Sequence, residues 1–114
     1  MKDHAKEIRT RERCFILELM NDPANPEVSV ARCRVEPKVT TELHRLSVRE
    51  WYLVSQGSGL MEIGLGKPYR IGPGDTITIP AGTPQRVTNI GDEDLVIQCV
   101  CIPRFTEDSY EPLE

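Results

Sequence analysis

Four side chains in this sequence are of types that move protons or hold cations: His44, Glu50, Tyr52 and Gln85. An imidazole exchanges a proton near neutral pH, a carboxylate accepts one, a phenol donates a hydrogen bond, and an amide both donates and accepts. Along an extended chain, side chains alternate between two faces. Glu42, His44 and Leu46 therefore share one face, Glu50, Tyr52 and Val54 a second, and Gln85, Val87 and Asn89 a third. If all three faces look inward, His44, Glu50, Tyr52 and Gln85 converge. A plainer reading stands beside this one. It has a core histidine bonded to Glu50 or Gln85, a barrel-wall tyrosine whose hydroxyl finds a polar group, and a glutamate whose burial demands a partner such as His44.

The elements that must position these residues are strands. Turn signals recur roughly every 8–12 residues and no helical periodicity outlasts two turns, the pattern of an all-β sandwich or barrel. Strands are expected at Arg13–Met20, Val28–Val35, Thr40–Leu46, Glu50–Ser55, Leu60–Gly64, Tyr69–Ile71, Thr76–Ile79, Gln85–Thr88 and Leu95–Ile102. Gln56-Gly57-Ser58-Gly59 and Ile90-Gly91-Asp92-Glu93 read as hairpin turns, and Gly72-Pro73-Gly74-Asp75 as a tight corner.

At 114 residues the chain is one domain. Residues 1–12 read as a charged, solvated lead-in carrying His4, residues 13–103 as the barrel, and residues 104–114 as a tail that packs across it or trails away. With 39% apolar and 28% charged residues and a net charge of −4, the composition is that of a soluble globular protein. There is no basic stripe for nucleic acid. No apolar run spans a bilayer and no secretory signal opens the chain, so a cytoplasmic location is expected. Cys14, Cys33, Cys99 and Cys101 form no Cys-x-x-Cys pair and lie in apolar runs, which predicts reduced core thiols. Cys99 and Cys101 share a strand face. The strand Arg13–Met20 carries little to guard its edge, and pairing across a homodimer is expected there.

Two segments resemble the paired motifs of the cupin family. In the first, Lys38 stands where the family has glycine, His44 matches the first histidine, Leu46 replaces the second, and Glu50 and Gly57 keep their spacing. In the second, Gly74, Pro80, Gly82 and Asn89 match while Gln85 stands in the histidine position. The resemblance covers residues 38–89. It implies a double-stranded β-helix, or jelly-roll barrel, dimerised through its sheets.

The resemblance also implies a divalent transition metal (Zn, Fe, Mn or Ni), with ligands reduced here to His44, Glu50 and Gln85. An amide oxygen is a poor donor beside imidazole, and leucine donates nothing, so such a site would hold its ion weakly. A metal-dependent isomerase, lyase or dioxygenase acting on a small molecule is the first function implied. A metal-free alternative follows from the cupin-like sugar epimerases, with His44 as base oriented by Glu50 and Tyr52 as acid. A third is a non-catalytic binding module, its pocket narrowed by Leu46, with His44 and Gln85 orienting a small-molecule ligand.

Overall fold

The inward-facing alternation of the chain is realised as two antiparallel sheets packed face to face. The computed structural model describes residues 6–114, and His4 with the opening part of the 1–12 lead-in lies outside the described residues. The strands are β1 (Ile8–Arg9), β2 (Phe15–Met20), β3 (Ser29–Val35), β4 (His44–Leu46), β5 (Arg49–Gln56), β6 (Gly59–Ile63), β7 (Tyr69–Ile71), β8 (Thr76–Ile79), β9 (Gln85–Asn89), β10 (Leu95–Ile102) and β11 (Tyr110–Pro112). One sheet runs β1-β2-β3-β10-β5-β8 and the other β11-β4-β9-β6-β7. This is the double-stranded β-helix that the motif spacing implied. Among the described residues no helix is long and apolar enough to cross a membrane.

The core lies between the sheets and is built from alternate residues. Tyr52 and Val54 of β5, Ile77 and Ile79 of β8, Leu95 and Ile97 of β10, Met61 of β6 and Val87 of β9 are all buried in one cluster. Met61, Leu95 and Ile97 have no accessible surface. Truncating any of them to alanine leaves a cavity costing roughly 2–5 kcal/mol.

The motif residues prove to be devices for holding turns. At Gly57 φ is +91°, and a Cβ there would lie 2.6 Å from the Asp94 carbonyl oxygen, so the β5–β6 turn admits only glycine. Gly82, also at positive φ, donates its N–H to the Leu46 carbonyl at 2.7 Å and ties the β8–β9 turn to the strand bearing His44. Asn89 is fully buried; its Nδ2 donates to the carbonyls of Val35 and Glu93, each at 2.8 Å, and its Oδ1 accepts the Gly91 N–H. Lys38, which occupies a glycine position of the motif, nonetheless adopts φ 69° and donates its N–H to Asn89. The backbone shape survived the loss of the residue that makes it easy.

Three expectations are modified. The strand expected over Thr40–Leu46 is regular only from His44, with one bridge from Thr40 to Thr88. The reason is Thr41, whose hydroxyl accepts the Val87 N–H at 3.0 Å and so replaces a rung of the ladder. The Glu42 N–H bonds the Glu12 carbonyl at 3.0 Å. Residues of the lead-in also join the fold: Ile8–Arg9 pair with Phe15 and Ile16, covering that part of the β2 edge. The tail contributes β11, which pairs Tyr110, Glu111 and Pro112 with Leu46, Arg45 and His44.

Candidate functional site

Of the four residues singled out by alternation, Glu50, Tyr52 and Gln85 are joined by hydrogen bonds while His44 is bonded elsewhere, and each sheet supplies two of the four. His44 on β4 lies directly across from Gln85 on β9. Glu50 and Tyr52 on β5 lie across from Cys101 and Cys99 on β10. All four are buried: His44 is 3% exposed, Glu50 and Tyr52 6%, and Gln85 1%. Each is shielded from bulk solvent, and protein groups bond several of their polar atoms.

Gln85 joins the two sheets. Its Nε2 donates to Glu50 Oε1 at 2.9 Å, and its Oε1 accepts the Tyr52 hydroxyl at 2.8 Å. The chain Tyr52–Gln85–Glu50 therefore uses both ends of the amide. Burial pushes the Glu50 carboxyl up to about 8, only partly offset by the Gln85 bond, and the nearby Glu12 charge adds to the rise. At neutral pH Glu50 is mainly a neutral acid. The phenol of Tyr52 is raised by the same burial and stays protonated.

His44 is oriented by other groups. Its Nδ1 lies 2.7 Å from the Glu42 carbonyl oxygen, which can only accept, so Nδ1 carries the proton. Its ring stacks on Tyr110 of β11, centroids 4.7 Å apart and planes 16° from parallel. Tyr110 in turn donates its hydroxyl to Glu42 Oε1, and Arg11 grips the same carboxylate with two N–H groups at 3.1 and 3.2 Å. The Tyr110 bond, then the Arg11 fork, hold Glu42 below its ordinary range. Among the described residues no hydrogen bond joins His44 to Glu50.

Glu12 is the functional candidate that alternation could not find. It sits in the turn between β1 and β2, closed by the Thr10 N–H to Cys14 carbonyl bond and by Arg13 at φ 68°. With its backbone tied to Glu42, its side chain enters the barrel end, Oε1 lying 3.7 Å from His44 Nε2. Burial raises its carboxyl, while His44 opposes that rise. No motif marks it, and in sequence it is one more charge among Arg11, Glu12 and Arg13.

The donor set does not fit the metal that the motif resemblance implied. The Gln85 oxygen is turned to Tyr52, its nitrogen faces Glu50, and Glu50 is held as a neutral acid. Leu46 occupies the second histidine position and packs with Val48, Cys101, Phe105 and Tyr110. Among the described residues no three of His, Cys, Asp and Glu are grouped so as to hold a metal ion. The four cysteines are free and buried, as expected.

Comparison with known proteins places these features in a family. The cupin domain model matches residues 31–102. An uncharacterized protein of Methanocaldococcus jannaschii is 33% identical over 115 residues, covering 98% of this chain and 91% of that protein. The fold superposes on oxalate decarboxylase from Bacillus subtilis with a TM-score of 0.80 at 22% identity, covering 96% of this chain and 31% of that one. The chain therefore spans about a third of that enzyme's length. A cupin 2 conserved barrel domain protein from Salinispora arenicola superposes with a TM-score of 0.78 at 22% identity, over 90% of this chain and 85% of that chain.

Proposed function

Because the chain belongs to the cupin family, we propose that its barrel interior is a small-molecule site that works by proton transfer without a resident metal. The observation that carries this reading is that His44 and Glu50 are both buried on opposite sheets, each held by its own partner. The Glu42 carbonyl takes the proton on Nδ1, so Nε2 is the ring atom left to accept or return one inside the barrel. Across the sheets, Glu50 is pushed up to about 8 and has a proton to give. A nitrogen with a free lone pair and an acid that keeps its proton are what acid–base chemistry requires.

The remaining residues take supporting roles. Gln85 holds Glu50 in place and couples it to Tyr52, whose hydroxyl is committed to the amide. Tyr52 is thus a positioning residue at rest and a donor only when Gln85 releases it. Leu46 and Met61 keep the interior apolar, which strengthens every polar contact made inside it. Substrates of the isomerase or lyase type, with an acidic C–H beside a carbonyl, suit a base of this kind.

Exchange of substrate C–H for solvent deuterium is the test, followed by NMR over a panel of small carbonyl compounds in the presence of a chelator. Wild type should catalyse exchange into at least one of them. His44→Gln should lose it by a factor of roughly 10² or more. Exchange that vanishes with the chelator and returns with Zn²⁺ or Mn²⁺ would defeat the metal-free reading.

A further inference from the structure

Glu12 and His44 face one another with no better partner. Among the described residues no hydrogen bond reaches the Glu12 carboxylate oxygens or His44 Nε2, and the 3.7 Å approach between Oε1 and Nε2 is longer than a bond. A carboxylate turned into a barrel normally collects two or three donors. This one faces a single imidazole at 3.7 Å. Its side chain is 21% exposed, so it reaches the interior from the barrel end and is not enclosed by it.

We propose that the Glu12 side chain stands in the place of a small carboxylate ligand, and that the interior site takes compounds bearing a carboxylate group. The reading rests on the proposed small-molecule site and names its substrate class. His44, fixed by Glu42 and Tyr110, is the recognition group: a proton taken up on Nε2 lets that nitrogen donate to the ligand's carboxylate. A carboxylate not tethered to the turn approaches it to hydrogen-bond distance, which Glu12 does not.

The turn is fastened by contacts that permit the exchange. Arg13 bonds the Thr40 carbonyl at 2.8 Å and pairs with Glu114 at 2.9 Å, both at the surface. Contacts so exposed add little to the hold on the turn. The Glu12 side chain can swing outward about its own bonds while the turn's backbone contacts stay closed.

The test uses the atoms that substitution removes. Glu12→Ala deletes a methylene and a carboxylate, the heavy atoms of acetate; Glu12→Gly deletes those of propionate. NMR titration of the His44 ring resonances should show acetate binding Glu12→Ala at least tenfold tighter than wild type. It should bind there at least tenfold tighter than acetamide, its neutral isostere. Propionate should be preferred by Glu12→Gly, and Glu12→Gln, which keeps the packing, should bind none of them. Should Glu12→Ala unfold, acetate that raises its Tm more than acetamide supports the proposal, and restoration by neither overturns it. Equal binding of acetate and acetamide also overturns it. Binding and deuterium exchange fail separately. Acetate binding without exchange in wild type condemns the catalytic reading alone, while exchange without carboxylate preference condemns this one.

Discussion

The His44 ring lies flat against that of Tyr110, centroids 4.7 Å apart with 16° between planes. One residue belongs to the fourth strand and the other to the eleventh, and Pro112 pairs opposite His44. The stack matters because Tyr110 also donates to Glu42, whose backbone carbonyl fixes the His44 tautomer. A single aromatic thus packs on the site imidazole and bonds the side chain of the residue whose carbonyl fixes its tautomer.

Tyr110→Phe keeps the ring and loses the hydroxyl. It should cost about 1.5–3 kcal/mol in urea unfolding at neutral pH, the range for a hydrogen bond to a charged group. Glu42 is held low by that bond, and a depressed acid contributes stability that is lost as pH falls. The difference between variant and wild type should therefore shrink on acidification. An equal cost at pH 3 and pH 7 would contradict the assignment.

Glu50→Gln should stabilise the protein, increasingly so at alkaline pH. An acid raised from 4.5 to about 8 holds its proton more tightly folded than unfolded. Its contribution is whole below about 4.5 and is lost as pH rises through about 8. Wild type should lose on the order of 2–4 kcal/mol relative to Glu50→Gln between pH 5 and pH 9. Parallel stability curves for the two proteins would refute the burial argument.

Restoring imidazoles should create the site that the donor set lacks. Leu46→His with Gln85→His adds two nitrogen donors and releases Glu50 from its amide partner. The double variant should gain several degrees in Tm with equimolar Ni²⁺ or Zn²⁺, while wild type gains none. A metal-dependent shift of the same size in wild type would show that His44, Glu50 and Gln85 already suffice.

The cysteines should be silent. Burial pushes Cys99 and Cys101 up to about 12, and Cys14 and Cys33 are raised as well. Thiols rather than thiolates face any reagent. In the folded protein at pH 8, Ellman's reagent should label none of them within minutes, and in urea it should label four. Fast native labelling of even one would place that cysteine outside the core.

Alternation made much of the site legible. His44, Glu50, Tyr52 and Gln85 were found because period-two patterning and intact motif spacing each fix a face, and every one of those faces is buried. The orientation of His44 was not legible, because Glu42 acts through its main-chain carbonyl and Tyr110 through a strand of three residues. Neither leaves a pattern in side-chain type. Glu12 was hidden for a different reason. Its turn is shaped by a left-handed arginine instead of a glycine, and neighbouring charges resemble a solvated segment. The shortened β4 escaped notice because a threonine hydroxyl imitates a backbone donor–acceptor pair, which residue type alone does not announce.

The sheet order β3-β10-β5 has a consequence for when the site can exist. β10 is the strand that lies between the one bearing Cys33 and the one bearing Glu50, and it follows both in sequence. Until Leu95–Ile102 has been synthesised, β3 and β5 have no common neighbour and the wall behind Glu50 is missing. Loop closure over such separations is slow compared with forming a local hairpin. The growing chain therefore carries its acid and its imidazole without that wall until β10 follows. They are shut away from water together only when the tenth strand is threaded between the third and the fifth.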